Sequence, residues 1–353
     1  MFKPNYSLTN EIIHNLVQIA EQKTQIEHSK IVPNQDIILK KRAAMRMAAD
    51  STAIEGNVLN ALEVQNVFEG KSTFAPAKDE IEVKNYKKGI EFINHSLTDN
   101  VKISHAFILH VHKILMADLL PTEKLGKYRP GAVYVVNQGA KTPSEKLLYS
   151  APDAPLVKKF VDELLLWTNA QFKANLHPVV IAALFHYQFV TVHPFSDGNG
   201  RTTRLLTTFL LYQNGFDLNR IYALDSYYNK NRMEYYKQLD VGKTFADREK
   251  KDLTPWILYF TNGVIWELER IIEQIMIVRI QMNDEDGPKV ILDQDEIRII
   301  DFLSTMGTIT SNDVSDILKL SKRSAQLKLK RLSELNIIEI QGKGPASYFI
   351  LKD

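Results

Sequence analysis

The sequence contains no cysteine among its 353 residues. A disulfide framework, a thiol nucleophile and a thiolate metal site are therefore excluded, and any metal would need oxygen or imidazole ligands. A large charge of one sign is also missing, because 44 Lys and Arg residues stand against 42 Asp and Glu residues and leave a net charge of +2. The overall charge gives no indication of nucleic acid, so any basic surface must be local.

Long uninterrupted apolar runs are absent as well. The longest apolar stretch, Val179 to Val192, is interrupted by polar residues and is too short to cross a bilayer, so it predicts a buried central helix. The N-terminus has neither a basic start followed by an apolar run nor a small-residue cleavage site. We therefore expect a cytoplasmic protein with no membrane partner.

The body of the chain is predicted to be mainly α. Apolar residues recur every three or four positions along most of the first 282 residues. The exception is a pair of β-prone segments, Ala132 to Val136 and Lys146 to Ser150, joined by a polar stretch. These two segments predict a β-hairpin.

The C-terminal part is predicted to be a separate domain. A charged run that ends in Gly and Pro, residues 283–288, breaks the preceding helical pattern. Three short helical patterns follow, and then two β-like segments, Ile337 to Gln341 and Tyr348 to Leu351. This order is that of a winged-helix domain, a variant of helix-turn-helix.

The stretch that indicates chemistry runs from His193 to Arg204 and reads HPFSDGNGRTTR. Pro194 disfavours helix for the residue before it, so the central helix should end there and a tight loop should lead into the next helix. Unpaired amides at that helix start, the permissive glycines and the helix dipole predict an anion cradle, residues 198–200, suited to phosphates. Arg201 and Arg204 lie on one side of the first turn and can neutralise more than one phosphate.

Two further side chains in this stretch have the chemistry of a phosphate-transfer site. Asp197 supplies a hard carboxylate oxygen of the kind that Mg²⁺ takes together with nucleotide phosphates. His193 has an intrinsic pKa near neutrality and can take a proton from an attacking hydroxyl. We therefore predict a base, a metal ligand and a phosphate site within twelve residues.

This ordered combination resembles the motif of the Fic family, HPFx[D/E]GNGRxxR, at every specified position. The resemblance extends over about residues 36–266, and it implies a Fic-type helical core in which the predicted hairpin is a flap. It also implies transfer of AMP from ATP to a hydroxyl of a target protein. By the resemblance, His193 is the base for a Ser, Thr or Tyr hydroxyl and Asp197 holds Mg²⁺.

The resemblance also assigns the nucleotide contacts. It implies that the amides of Gly198, Asn199 and Gly200 bind the α- and β-phosphates with help from Arg201, and that Arg204 holds the γ-phosphate. Tyr235 and Tyr236 lie in the segment that helps to close the nucleotide pocket. Kinase-like relatives replace the Gly-Asn-Gly portion with bulkier residues, whereas this chain keeps both glycines, which favours transfer of AMP.

An N-terminal stretch resembles the inhibitory motif of autoinhibited Fic proteins, [S/T]xxxE[G/N]. It comprises Ser51 to Gly56, here called the inhibitory segment, with Ser51, Glu55 and Gly56 at the specified positions. In such proteins the glutamate pairs with the second arginine of the motif, which here implies that Glu55 denies Arg204 to the γ-phosphate. A carboxylate already paired with a partly buried guanidinium must be displaced before ATP can bind productively.

The full prediction is a self-inhibited protein adenylyltransferase with three parts. These are an N-terminal helical region with the inhibitory segment (residues 1–100), a Fic catalytic core (101–282) and a winged-helix domain (290–353). ATP and a protein hydroxyl are the expected partners, and a homodimer is left open. DNA is also left open, since the third helix of the C-terminal domain has six basic residues and no acidic ones between Lys319 and Ser333. The alternatives are a nucleotide-sensing, DNA-binding regulator and a relative that also removes AMP.

Overall fold

The computed structural model describes residues 2–29, 33–71, 73–136, 147–281, 292–335, 337–342 and 347–352, and they are mainly α-helical, as predicted. The N-terminal helices are α1 (Asn10–Glu27), α2 (Pro33–Ile54), α3 (Ala61–Phe68), α4 (Ala77–Thr98) and α5 (His105–Leu115). A hairpin of β1 (Tyr134–Val136) and β2 (Leu147–Ser150) precedes α6 (Val157–Lys173), α7 (Pro178–Val192) and α8 (Asn199–Leu211). Next come α9 (Asp225–Lys230), α10 (Arg232–Leu239), α11 (Phe245–Glu249) and α12 (Thr254–Gln281). The last elements are α13 (Gln294–Met306), α14 (Ser311–Leu318), α15 (Lys322–Glu334), β3 (Ile338–Gln341) and β4 (Tyr348–Leu351).

The buried apolar side chains form two clusters. The larger one extends from Phe2 to Ile275 and includes both the N-terminal helices and the central ones, while the smaller one extends from Ile299 to Ile338. Helix α1 packs along α12, so the two ends of the larger unit lie side by side. The N-terminal helices therefore belong to the same hydrophobic core as the segment that carries the predicted motif.

Helix α7 lies at the centre of the larger cluster. All of its residues except Pro178 and Val190 are buried, which confirms the central helix that its near-continuous apolar sequence predicted. Proline at its first position is pre-organised for a helix start. Among the described residues, no helix combines the length and the apolar character needed to cross a membrane.

Helix α2, which ends in the inhibitory segment, contacts α4, α9, α12 and α13. A buried ion pair fixes it to α12: Arg46 Nη2 lies 3.0 Å from Glu267 Oε1, and both side chains are almost completely buried. The same carboxylate oxygen accepts a hydrogen bond of 2.9 Å from the Ala223 backbone N–H, just before α9. One carboxylate thus joins α2, α12 and the chain that leads into α9.

The hairpin β1–β2 is antiparallel, with Tyr134 opposite Ser150 and an irregularity after Val135. Its strands are shorter than the predicted segments, and residues 137–146 between them lie outside the described residues. The outer side of β2 is taken, because the Ser150 N–H donates to the Lys243 carbonyl at 2.8 Å. In the part of the chain that the structure describes, no strand pairs with the outer edge of β1.

The C-terminal unit has the predicted order of three helices and an antiparallel hairpin, β3–β4. Its assignment to the winged-helix class stays a prediction, and the predicted boundary at residues 283–288 lies outside the described residues. Two of the basic side chains of α15 are paired within the unit, Lys328 with Asp293 and Arg331 with Glu296. These two cations are therefore already partly neutralised by the segment that begins α13.

We expect Glu267→Ala to lower the free energy of unfolding by about 3–5 kcal/mol, because it leaves the buried Arg46 charge without its partner. Urea denaturation measures the change. Glu269→Ala is the matched control, because Glu269 is exposed and accepts long hydrogen bonds of 3.4–3.5 Å from Gln18 and Gln22. Equal effects of the two substitutions would contradict this account of the buried pair.

Candidate active site

The central helix ends where Pro194 predicts that it should. His193 follows α7 in a left-handed conformation, with φ of 49°, and turns the chain out of the helix. Its carbonyl accepts a hydrogen bond of 2.8 Å from Arg129 Nε, and the Arg129 N–H donates to the Pro194 carbonyl at 2.9 Å. Arg129 thus stabilises the uncommon left-handed conformation of His193.

Arg129 also connects this turn to the base of the hairpin. Its Nη1 donates to the Gly131 carbonyl at 2.8 Å, and its Nη2 donates to the Pro152 carbonyl. The sequence gave no sign of this role. Because its partners are all backbone carbonyls, Arg129 fixes the shape of the chain on both sides of the site.

The two nitrogens of the His193 imidazole differ, because only Nδ1 is hydrogen-bonded to the backbone. Its Nδ1 lies 3.2 Å from the Val190 carbonyl, which can only accept, so Nδ1 carries the proton and Nε2 has the lone pair. Burial, reinforced by the charge of Arg129, lowers the pKa of His193 to about 4. The ring is therefore neutral at pH 7 and can accept a proton at Nε2.

The loop between His193 and α8 is closed by an asparagine. Asn199 Oδ1 accepts from the Phe195 N–H, and Asn199 Nδ2 donates to the Phe195 carbonyl, both at 2.9 Å. Gly198 precedes the helix with φ of 76°, and a Cβ placed there would lie 2.4 Å from Met116 Sδ. The backbone conformation therefore favours glycine at this position, and any side chain there would also have to displace the Met116 side chain.

His112, to which the sequence analysis assigned no role, supports the same loop. Its ring stacks on Phe195 with 3.8 Å between ring centroids. Nδ1 accepts from the Gly126 N–H at 3.1 Å, so Nε2 carries the proton and donates to the Asp197 carbonyl at 3.1 Å. Burial lowers the pKa of His112 to about 4, which keeps this arrangement neutral.

The Asp197 side chain is exposed enough to bind a metal ion that also binds the phosphates of a substrate. Its side chain is 63% exposed, and Oδ1 accepts from the Gly198 N–H at 2.6 Å. No group of three or more acidic or histidine side chains among the described residues could hold a metal ion. The residues present therefore fit a Mg²⁺ ion that takes one carboxylate from the protein and its other ligands from phosphates and water.

The predicted anion cradle already faces an anion, the carboxylate of Glu55. Glu55 Oε1 accepts from Arg204 Nη2 at 2.8 Å, and a Cβ built on Gly200 would lie only 2.2 Å from the same oxygen. The carboxylate thus lies over the first turn of α8, where the helix dipole favours negative charge. The structure places Glu55 beside Arg204, the pairing that the resemblance implied, and also beside Gly200.

Arg204 is buried and has further acceptors. Its Nε donates to Ser51 Oγ and its Nη2 to the Ser51 carbonyl, both at 2.8 Å, and its Nε lies 3.3 Å from Asp225 Oδ1. Tyr86 donates to the same Asp225 oxygen at 3.3 Å. Burial raises the pKa of Asp225 to about 6, although Arg204 opposes that shift. The guanidinium therefore keeps a fixed position that does not depend on Glu55 alone.

Glu55 remains ionised at neutral pH. Burial by itself would raise the pKa of its carboxyl group, but the charge and hydrogen bond of Arg204, helped by Arg201, hold that pKa below its usual value. The stabilisation from this pair is therefore complete above the ordinary pKa of a glutamate and is lost only as the pH falls through the lowered value. At 32% exposure, the Glu55 side chain is nevertheless the most accessible partner of Arg204.

Arg201 has capacity for an additional anion. Its Nη1 lies 3.0 Å from Glu82 Oε1, although not in hydrogen-bond alignment, and its Nη2 lies 3.9 Å from Asp197 Oδ1. Nε and Nη1 are buried without a hydrogen-bond acceptor among the described residues. Such unsatisfied donors in a cationic group fit the oxygens of a phosphate.

The remaining predicted residues lie around the end of α2. Gly56 ends the helix with φ of 97°. Tyr236 is partly exposed and donates to the Ile54 carbonyl at 3.0 Å, so it holds the inhibitory segment. Tyr235 is only 1% exposed, and its hydroxyl lies 2.9 Å from His186 Nε2. The structure thus places Tyr235 in the core beneath the site, and the nucleotide contacts of both tyrosines stay predictions.

The fold and site define a mostly helical protein with a histidine at the end of a central helix and an anion cradle at the start of the next. Residues 102–211 match the family model described as the Fic/DOC family. A Fic family protein from Desulfovibrio desulfuricans has the same fold with a TM-score of 0.65 and 24% identity over 99% of this chain and 98% of that one. Residues 102–211 of this chain therefore form a domain of the Fic/DOC family.

The curated relatives carry the name protein adenylyltransferase Fic. The protein from Drosophila willistoni is 28% identical over 265 residues, which cover 71% of this chain and 47% of that protein. The protein from Drosophila virilis is 32% identical over 183 residues, 50% of this chain and 34% of that protein. The chain thus spans about half the length of the first of these relatives and a third of the second.

We expect Arg129→Lys to lower the free energy of unfolding by about 2–3 kcal/mol, because a lysine cannot supply the fork of donors that bonds three backbone carbonyls at once. Chemical denaturation measures it. Lys127→Ala is the control, since Lys127 is exposed in the same segment. A loss no larger than that of the control would mean that Arg129 does not hold the turn.

We expect the His193 ring to titrate with a midpoint near pH 4, because burial disfavours its charged form. Proton-detected NMR of the imidazole, with the signal assigned by its loss in His193→Ala, gives this midpoint. A midpoint at the ordinary value of about 6.5 would show that the ring is solvated and would contradict the arrangement described above.

Proposed function

We propose that this protein is a self-inhibited protein adenylyltransferase that transfers AMP from ATP to a Ser, Thr or Tyr hydroxyl of a target protein. The observation that carries the proposal is the position of Glu55, an internal carboxylate bound to Arg204 over the first turn of α8. A site that accepts one anion there has the backbone and the charge to accept another. The name of the curated relatives supplies the class of reaction.

The triphosphate is assigned to the cradle and its two arginines. The amides of Asn199 and Gly200 belong to the first turn of α8 and have no acceptor within the helix. The Gly198 amide now donates to Asp197 Oδ1 and would exchange that partner for a phosphate oxygen. Arg201 contributes its unsatisfied donors, and Arg204 takes the γ-phosphate in place of Glu55.

The reaction is an in-line displacement at the α-phosphorus. The target hydroxyl oxygen forms a bond to phosphorus, its proton passes to His193 Nε2, and the bond from the α-phosphorus to the bridging oxygen of the β-phosphate breaks. Pyrophosphate leaves, and AMP remains on the target. The neutral ring, with its proton on Nδ1, is the protonation state that this step requires.

A Mg²⁺ ion, held by Asp197 together with the phosphates, would supply charge neutralisation of the triphosphate. The protein itself contributes fixed donors, and positioning accounts for most catalysis of phosphoryl transfer. The reciprocal bonds of Asn199 and Phe195 and the support from His112 hold the loop in that arrangement.

The target segment is assigned to the outer edge of β1. Since β2 is already bonded to Lys243 on its outer side, β1 is the strand that can accept an added extended segment. Tyr134 on this strand is exposed. Arg129 bonds both the Gly131 carbonyl, just before β1, and the His193 carbonyl. The position of a target segment bound to β1 is therefore coupled to the position of His193.

We expect Glu55→Gly to raise the initial rate of AMP incorporation, into the protein itself or a target, by roughly 10- to 100-fold, the factor expected for a lost charged hydrogen bond. Intact-protein mass measurement after incubation with ATP and Mg²⁺ reports both the group transferred and its amount.

Two variants complete this experiment. Glu55→Gln keeps the size of the side chain but removes its charge, so we expect an intermediate rate. Glu55→Gly combined with His193→Ala should bind ATP but incorporate no AMP. Equal incorporation of AMP by the wild type and by Glu55→Gly would overturn self-inhibition. If no variant incorporated AMP, the proposed reaction itself would be overturned.

A further inference from the structure

Asn57, the first residue after the inhibitory segment, binds that segment to a different helix. Its backbone N–H donates to the Thr52 carbonyl at 3.1 Å, which closes the turn that carries Glu55. Its side chain Nδ2 donates to the Asp79 carbonyl at 3.0 Å and to Glu82 Oε2 at 2.9 Å. Its Oδ1 accepts from the Leu59 N–H at 3.0 Å. Both the donor and the acceptor of the amide are therefore used.

The partner on α4 is the carboxylate that also faces the phosphate site. Glu82 Oε1 lies 3.0 Å from Arg201 Nη1, and both side chains are buried. Lys78 Nζ is the other cation beside Glu82, at 3.8 Å from Oε1, and it is largely exposed. One carboxylate thus connects the exit of the inhibitory segment with the first arginine of the motif.

The other side of the inhibitory segment is held independently. Arg232 Nη1 donates to the Ala53 carbonyl at 2.7 Å, and the Tyr236 hydroxyl donates to the Ile54 carbonyl at 3.0 Å. Both come from α10, whereas the Asn57 contacts come from α4. The turn that positions Glu55 is therefore held from two directions, and loss of one set of contacts leaves the other in place.

We propose that Asn57 is a positioning residue for Glu55, which fixes the inhibitory turn through the carboxylate of Glu82 and the carbonyl of Asp79. The proposal rests on the self-inhibition proposed above. Without the Asn57 side chain, the turn that follows α2 loses its two hydrogen bonds to α4, and Glu55 spends less time on Arg204. Among the described residues, the side-chain hydrogen bonds of Asn57 go to Asp79, Glu82 and Leu59 and not to the motif itself, so Asn57 acts through its neighbours.

Two substitutions test this role. Asn57→Ala removes the side-chain contacts, and Asn57→Asp keeps the volume but puts a second carboxylate against Glu82. We expect both to raise the basal rate of AMP incorporation about three- to ten-fold, the size expected for one or two lost hydrogen bonds. In the Glu55→Gly background, neither should change the rate by as much as two-fold, because there is no carboxylate left to position.

Asn60→Ala is the matched control. It makes the same change three residues further along and removes the side-chain cap of α3, where Asn60 Oδ1 accepts from the Glu63 N–H at 3.0 Å. It does not touch α4 or the motif, so the basal rate should stay at the wild-type level. Thermal unfolding of all variants separates positioning of Glu55 from a general loss of stability.

Equilibrium binding of ATP without turnover provides a second readout. Asn57→Ala and Asn57→Asp should bind ATP more tightly than the wild type, and equal affinities would overturn the proposal even if no AMP were incorporated. An increased rate that persists undiminished in the Glu55→Gly background would also overturn it, since Asn57 would then act on the catalytic residues. If Glu55→Gly incorporates AMP but the Asn57 variants behave like the wild type, the proposed function stands and the role of Asn57 does not.

Discussion

The buried positive charge of Arg204 is the constraint on which the rest of the site depends. Its guanidinium lies inside the fold and needs acceptors, which Ser51, Asp225 and Glu55 provide. A buried charge with fewer partners is less stable, so the site favours another anion in the place of the Glu55 carboxylate when that carboxylate leaves. The terminal phosphate of a nucleotide is such an anion. Under the proposed function, the same requirement would stabilise the self-inhibited state and select the ligand that relieves it.

The inhibitory segment is part of the fold rather than an appendage. Helix α2 shares the main hydrophobic cluster and is fixed by the buried pair of Arg46 and Glu267, so it cannot move away without opening the core. Glu55 lies at its end, where its side chain is 32% exposed, whereas Arg204 itself is buried. Since α2 also contacts α13 of the C-terminal unit, the two units of the chain meet on the helix that carries the inhibitory glutamate.

The sequence predicted those parts of the structure that local patterns specify. The apolar run of α7, the break at Pro194 and the helix start after Gly198 follow from neighbouring residues, and the pairing of Glu55 with Arg204 followed from two motifs. The supporting contacts were not predictable in this way. His112 reaches the Asp197 carbonyl across 85 positions and Arg129 reaches the His193 carbonyl across 64, and a side chain that binds a distant carbonyl leaves no periodic signal. Burial of Tyr235 beneath the site likewise depends on the packing of α7 against α10, which the order of residues does not show.

The measurement that tests the central claim most directly is the ratio of the dissociation constants of ADP and ATP, determined by calorimetry for the wild type and for Glu55→Gly. If Glu55 denies Arg204 to the γ-phosphate, the wild type should bind both nucleotides about equally. Glu55→Gly should then bind ATP roughly ten-fold or more tightly than ADP, because only ATP has a γ-phosphate that can form a charged hydrogen bond with the buried Arg204. A wild type that already prefers ATP by the same factor as the variant would contradict the claim that the carboxylate and the phosphate compete for one site.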